Sequence, residues 1–145
     1  MSTSSRFVVA LHILTLLETE GGRPVTSAYI AGSVNTNPGV IRRLLSTLAR
    51  AGLVTAQLGA GGGALLARPA RQIRLLDVYR AVESADLFAL HHSPPNPQCP
   101  VGKHIQPALS GVLRRAERAL EGELGHVTVA EVVHSVTARA RRPKV

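Results

Sequence analysis

The chain has 145 residues and a formal net charge of +8; 45% of its residues are hydrophobic and 3% are aromatic. This length predicts one domain, or one domain plus an arm, and the aliphatic composition favours helices that pack on each other. The single cysteine excludes an intrachain disulfide framework, and the lack of a long apolar run or a signal-peptide pattern predicts a cytoplasmic protein with no membrane span.

Helix signals dominate the N-terminal third of the chain, in three patterns. Apolar residues at helical spacing predict a first helix over residues 5–19. A short second helix is expected from the capping residue Thr26 to about Gly32, followed by a turn. The third begins at Asn37-Pro38, because Asn caps a helix well and Pro suits its first position. The second and third patterns together predict a helix-turn-helix.

A two-strand pattern follows the third helix. Residues 53–58 and 64–67 have strand character, and the glycine-rich loop 59–63 between them predicts a hairpin. A helix-turn-helix followed by such a hairpin is the order of a winged-helix head. A phosphate loop is not favoured, because no Lys-Ser/Thr follows the glycines and the pattern is strand, loop, strand. A dinucleotide-binding fingerprint fails, because no helix follows the glycines.

Beyond the hairpin, the sequence predicts more helices and one loop. A short helix is expected over 75–83 and a proline-rich loop over 84–102. A long helix then reaches about Glu123 on an apolar stripe, and Pro107 inside it predicts a kink or a later start. A last helix is expected at 129–137, ahead of a basic tail.

These elements predict a mainly α fold with a small β-wing. Residues 1–83 form a winged helix-turn-helix head, residues 84–102 a loop that carries the single cysteine, and residues 103–145 a long dimerisation helix with a C-terminal helix. The apolar stripe of the long helix needs a partner surface, so a homodimer is expected. The stripe consists of Ile105, Leu109, Val112, Leu113, Ala116, Leu120 and Leu124.

Positive charge is concentrated on the predicted head. Residues 1–80 hold nine Arg and three acidic residues, whereas residues 81–145 hold eight basic and six acidic ones. Such a field attracts polyanions, and the partner expected from it is an operator in double-stranded DNA. The simpler alternative is a basic surface that only keeps the protein in solution.

The third helix carries the residue pair best suited to reading DNA. Arg42 and Arg43 lie about one turn into it, where a side chain reaches a guanine edge or a phosphate. Amides of a glycine-rich hairpin tip can approach phosphates closely. The predicted DNA-binding residues are Arg6, Thr36, Asn37, Gly39, Val40, Arg42, Arg43, Gln57, Gly61 and Gly62.

Ordered motifs run along nearly the whole chain. A first group consists of Ser5-Arg6-Phe7, the run 50–54, the hairpin glycines and the run 73–83. A second group consists of Val34-Asn-Thr-Asn-Pro38 with Val40-Ile-Arg-Arg43, the run 87–91 and the run 96–105. The first group resembles the Rrf-two family of winged-helix transcription regulators, and the second group resembles its YwnA-type branch.

The resemblance implies a homodimer whose long helices pair and whose two heads grip a near-palindromic operator. The family's best-known members carry three cysteines before the long helix and bind an iron–sulfur cluster, whereas this chain has only Cys99 there. Arg42 and Arg43 replace the Glu-Gln that is typical of those members, which implies a different operator. Neither a cofactor nor a metal is expected, although donors that could replace the missing thiolates are His91, His92 and His104.

Cys99 supports two interpretations. It precedes Pro100, a suitable first helical residue, so its thiol would lie at a helix N-terminus, where the dipole stabilises a thiolate. Cys99 would then be a redox- or electrophile-sensing thiol that changes DNA affinity. Alternatively, it is a buried small apolar residue that packs the loop.

An enzyme is not expected, because no Ser-His-Asp set or pair of carboxylates can be assembled from nine scattered acidic residues. The predicted function is a dimeric, sequence-specific transcriptional repressor. One alternative is a winged helix that binds protein instead of DNA. Another is a regulator gated by a small ligand, in an apolar pocket between the head and the long helix that is lined by Leu87, Phe88 and Leu90.

Overall fold

The computed structural model describes residues 4–83 and 86–143. These residues are mainly helical and contain a two-stranded antiparallel sheet, so the predicted fold class is confirmed. Within these ranges no helix is long and apolar enough to cross a membrane. In chain order the elements are α1 (Arg6–Thr19), α2 (Ser27–Val34), α3 (Pro38–Arg50), β1 (Val54–Gln57), β2 (Gly63–Leu66), a short 3-10 turn (Ala70–Gln72), α4 (Leu75–Val82), α5 (Pro100–Gly125) and α6 (Val129–Ala140).

Side-chain caps fix the start of both helices of the helix-turn-helix. Thr26 Oγ1 accepts a hydrogen bond from the Tyr29 amide at 3.1 Å, and Asn37 Oδ1 accepts one from the Val40 amide at 3.0 Å. These caps satisfy amides that the start of a helix leaves without partners. α2 extends beyond its predicted end, because the chain leaves the helix only at Asn35, which adopts a left-handed φ of 66°.

The hairpin pairs β1 with β2 in antiparallel register, ending with Gln57 opposite Gly63. Its tip turns tightly, and a Cβ on Gly62 would collide with the carbonyl oxygen of Gln57. Gly63 belongs to β2 rather than to the predicted loop. The adjacent Ala64 exchanges two hydrogen bonds, of 3.0 and 2.8 Å, with Val25. The segment between α1 and α2 is thereby attached to the hairpin.

One compact unit contains residues 4–83 together with residues 124–143. Its core is built from aliphatic side chains of its helices, in agreement with the composition. α6 packs on α1, so the C-terminal helix lies with the head, whereas the sequence grouped it with the long helix. The large side chains that are fully buried are Ile13, Leu14, Ile30, Ile41, Leu48, Leu53, Ile73, Val78 and Val129.

The second compact unit lies within residues 84–123 and consists of a loop and most of α5. α5 begins at Pro100, ahead of the predicted position 103, because Cys99 ends the loop and its carbonyl accepts a hydrogen bond from the Lys103 amide at 2.8 Å. The helix continues through Pro107, so the later start considered for it is wrong. Among the described residues, none of α5 is buried.

Candidate nucleic-acid interface

α3 separates an apolar side from a cationic side. Ile41, Leu44 and Leu48 are buried in the core, whereas Arg42 and Arg43 are exposed. The sequence gives this division directly, because residues three and four apart share one face of a helix. One side of α3 is therefore buried in the core, and the other is exposed to solvent. A helix that enters the major groove needs such an exposed side.

Arg42 and Arg43 lie on different flanks of that exposed side, since neighbouring residues are about 100° apart around a helix. Arg42 lines a cleft of about 330 Å³ between α3 and the hairpin, together with Gln57. Arg43 extends towards the start of α3, where a Cβ placed on Gly39 would be 3.8 Å from its Nη1. The structure thus brings Arg42 together with Gln57, and Arg43 together with Gly39.

Two further residues on the exposed side of α3 were missed by the sequence interpretation. Ser46 lies one turn after Arg42 and lines the same cleft, and Arg50 is the last residue of the helix. Arg50 donates to Ser46 Oγ and to Thr47 Oγ1, at 3.4 Å in each case. Helical spacing from Arg42 and Arg43 is the signal that could have identified both residues.

Three predicted residues shape the start of α3. The Thr36 amide donates to the Ala31 carbonyl at 3.0 Å, and the side chain of Asn37 is engaged as the helix cap. Thr36 and Val40 are half-buried, whereas Asn37 is exposed. These contacts are local and structural, and direct contacts of the three residues with DNA remain predictions.

Arg6 and the hairpin glycines lie outside α3. Arg6 begins α1, where its Nη2 is 3.7 Å from Glu83 Oε2 and its Nε donates to Ser4 Oγ at 3.3 Å. The ion pair with Glu83 connects the start of α1 to the end of α4. Gly61 is exposed at the hairpin tip and Gly62 is half-buried beside it. The predicted set is therefore spread over α1, α3 and the hairpin.

The proline-rich loop places the thiol of Cys99 at the surface. Cys99 is exposed and directly precedes α5, and its amide donates to the Asn96 carbonyl at 3.2 Å. The interpretation of Cys99 as a buried packing residue is therefore wrong. In the same unit, His91 Nδ1 and Gln106 Nε2 lie 3.1 Å apart and share a hydrogen bond.

Each unit contains an apolar cavity. In the unit with the loop, Phe88 and Leu90 line a cavity of about 410 Å³ with residues of α5, but Leu87 is not among the lining residues. In the head unit, a groove of about 490 Å³ lies between α1 and α6. Two of its lining side chains are largely open to solvent: Val8 is 67% and Val136 is 46% exposed.

Comparison with known proteins identifies relatives over most of the chain. Residues 3–135 match the family described as "Rrf2: Iron-dependent Transcriptional regulator". The chain is 45% identical over 132 residues to YwnA of Bacillus subtilis (strain 168), which is assigned as an HTH-type transcriptional regulator; the match covers 90% of this chain and 96% of YwnA.

Solved structures give the same picture. A crystal structure of a protein assigned as DNA-binding matches with a TM-score of 0.71 and 42% identity, over 88% of this chain and 98% of that one. T. potens IscR matches with a TM-score of 0.71 and 24% identity, over 100% of this chain and 94% of that one, which shows a common fold. YwnA is assigned as a transcriptional regulator and the first of these structures as a DNA-binding protein, and neither is described as an enzyme.

The iron in that family description does not fit the donors of this chain. Iron–sulfur clusters are held mainly by Cys thiolates, and the sequence supplies a single cysteine. The described residues include no group of three or more His, Cys, Asp or Glu side chains arranged to hold a metal ion. One of the alternative donors, His91, is hydrogen-bonded to Gln106.

Proposed function

This chain belongs to the Rrf2 family of transcriptional regulators, and we propose that it is a homodimeric, sequence-specific repressor that reads operator DNA with α3. The observation that carries the proposal is the exposed side of α3, which carries Arg42, Arg43, Ser46 and Arg50, with Arg42 and Ser46 lining the cleft beside the hairpin. Arginine supplies forked donors for guanine edges and for phosphates. The excess of nine Arg over three acidic residues in residues 1–80 adds the long-range attraction that DNA-binding proteins use.

Two apolar surfaces support the homodimer. On α5, Leu109 is 40% and Val112 is 50% exposed, and on the groove of the head unit Val8 and Val136 are similarly open. Burial of apolar surface stabilises an association by about 25 cal/mol per Å² before its entropic costs. A second copy of the chain is the simplest partner, because every copy carries both surfaces.

A symmetric dimer would present two α3 helices to one face of DNA. Half-sites about 34 Å apart, one turn of the duplex, would then be related by a near-palindrome. We assign repression because a clamp seated on promoter DNA excludes other proteins from it. The activity takes place in the cytoplasm, in contact with the chromosome.

The exposed thiol of Cys99 is our candidate for the signal input. It lies directly before α5, the helix whose stripe we assign to dimerisation. A peroxide would transfer one oxygen atom to the thiol, which becomes a sulfenic acid, and the peroxide would be reduced to water or an alcohol. The new polar group beside the dimer helix would then change the spacing of the two heads and weaken operator binding.

The DNA proposal is tested by selecting bound fragments from a random duplex pool and measuring the affinity of the winning sequence by fluorescence anisotropy. We expect the most enriched sequence to be near-palindromic, and the affinity for it to fall steeply as the salt concentration rises. The double variant Arg42→Ala/Arg43→Ala should lose about a hundredfold or more in affinity for that site, since each arginine contact is worth about 1–3 kcal/mol.

The matched control is Arg114→Ala/Arg115→Ala, which removes an adjacent pair of exposed arginines from α5 with the same change in net charge. It should bind the selected site within a few-fold of the parent. Normal binding by the Arg42/Arg43 variant would refute the assignment of α3. If the parent protein enriched no DNA sequence and bound a protein partner instead, it would be a winged helix that binds protein.

A further inference from the structure

We propose that the cleft between α3 and the hairpin seats a phosphate of the DNA strand, with Arg42 as its cationic ligand, and that Arg43 alone of the pair reads a guanine. This assignment rests on the proposed function, and it gives separate roles to two arginines for which the sequence predicts the same role. Arg42 lines the cleft, whereas Arg43 extends towards Gly39 on the other flank of α3.

The position of the cleft determines which part of DNA it meets. If α3 enters the major groove and the hairpin lies beside it on the duplex, then the sugar-phosphate strand that borders the groove must pass between them. The cleft of about 330 Å³ occupies that space, with α3 on one side and β1 on the other. A backbone phosphate is therefore the DNA group that comes closest to Arg42.

The polar side chains of the cleft suit a phosphate, although the rest of its lining is aliphatic or glycine. No acidic side chain is among the lining residues, so nothing in the cleft repels an anion. Besides Arg42, its hydrogen-bonding side chains are neutral: Ser27 comes from the start of α2, Ser46 from α3, and Thr55 and Gln57 from β1. Hydroxyl and amide donors of this kind, together with arginine, make most protein contacts to DNA phosphates.

Arg43 has the position of a base reader. Its guanidinium lies over Gly39, one turn before it, where a Cβ would be in ordinary contact with Arg43 Nη1 at 3.8 Å. Arg43 is exposed on this flank, so its guanidinium is accessible to a base edge near the start of α3. Two parallel hydrogen bonds to guanine O6 and N7 are the commonest specific contact of arginine in the major groove.

Single variants of the full chain separate these roles, with binding to the selected site and to a scrambled duplex measured at several salt concentrations. Arg42→Ala should weaken binding to both duplexes alike, by about tenfold, and lower the slope of log affinity against log salt by about one. Arg43→Ala should weaken binding to the selected site by about tenfold more than to the scrambled duplex. Selection with Arg43→Ala should also lose one guanine from each half-site.

Lysine replacements keep the positive charge, so they test the geometry of each contact separately from its charge. Arg42→Lys should restore most of the affinity, because an ammonium binds phosphate as a point charge, whereas Arg43→Lys should not restore the guanine preference, because lysine lacks the fork. An Arg42→Ala variant with altered base preference, or an Arg43→Ala variant that weakens both duplexes equally, would overturn the assignment. A parent with no sequence preference would overturn the proposed function as well.

Discussion

Arg74 and Asp77 are hydrogen-bonded to each other at the start of α4. The Arg74 amide donates to Asp77 Oδ2 at 2.9 Å, and Arg74 Nη2 donates to Asp77 Oδ1 at 2.9 Å. Burial alone would raise the pKa of Asp77, but the hydrogen bonds from Arg74 and the charges of Arg74 and Arg68 outweigh it and hold the pKa below its ordinary value. The carboxylate thus ties α4 to the segment that follows β2.

Asp77→Asn should lower the free energy of unfolding by about 1 kcal/mol at neutral pH, because it removes the charged cap of α4. The lowered pKa in the folded state sets the pH dependence. The contribution of Asp77 is fully present above the unfolded pKa, near 3.8, and is lost as the pH falls through the folded value. The difference between parent and variant should therefore shrink on acidification, which urea unfolding at several pH values measures.

Asp86→Asn is the control for this prediction, because Asp86 is an exposed acid in the other compact unit. The free energy of unfolding of the Asp86→Asn variant should match that of the parent at every pH. If the deficit of Asp77→Asn stayed constant down to pH values below 3.8, the carboxylate charge would not be the source of the stabilisation.

Gly62→Ala should distort the hairpin tip, because the new Cβ would collide with the carbonyl oxygen of Gln57. We expect the operator affinity to fall about tenfold, since Gln57 lines the cleft that we assign to a DNA phosphate. Gly122→Ala is the matched control: a Cβ there meets nothing within 4 Å, and alanine favours a helix. Equal operator affinities of the two variants, by fluorescence anisotropy, would show that the tip shape does not matter.

Local signals in the sequence were sufficient for the elements of the head. Asn37-Pro38 predicts the start of α3, and the structure has the cap at Asn37 and Pro38 as the first helical residue. The glycine-rich run predicts the hairpin, because only glycine tolerates the close approach at Gly62. Such signals act over a few residues, so a single sequence contains them.

Features that depend on distant contacts were not predictable in the same way. α6 packs on α1 although the two helices lie near opposite ends of the sequence. Arg6 likewise forms an ion pair with Glu83, at the end of α4. The separation of Arg42 from Arg43 depends on where β1 lies beside α3. Helical spacing places both arginines on an exposed side, but only the packed hairpin distinguishes their two flanks.

Val112→Glu should convert the proposed dimer to a monomer. Val112 is 50% exposed on the apolar stripe of α5, and a buried, unpaired carboxylate in an interface costs several kcal/mol. Val136→Glu, in the groove between α1 and α6, should weaken the dimer in the same direction. Light scattering during size-exclusion chromatography measures the mass.

Leu58→Glu is the control for the dimer prediction, because Leu58 is 89% exposed beside the hairpin and outside both apolar surfaces. It should remain a dimer. A parent that is monomeric at micromolar concentration would contradict the dimer itself, and a dimeric Val112→Glu variant would exclude the α5 stripe from its interface.

Cys99→Ser should make operator binding insensitive to oxidant. Because Cys99 is the sole cysteine and is exposed, peroxide has one thiol to oxidise, and the parent should lose operator affinity several-fold after treatment and regain it with a thiol reductant. The serine variant keeps the size of the side chain and should bind equally well with and without peroxide. Non-reducing electrophoresis separates sulfenic acid formation from a disulfide between two copies. If the parent and Cys99→Ser responded alike to peroxide, oxidation of methionine or another group would be the cause and Cys99 would not be the sensor.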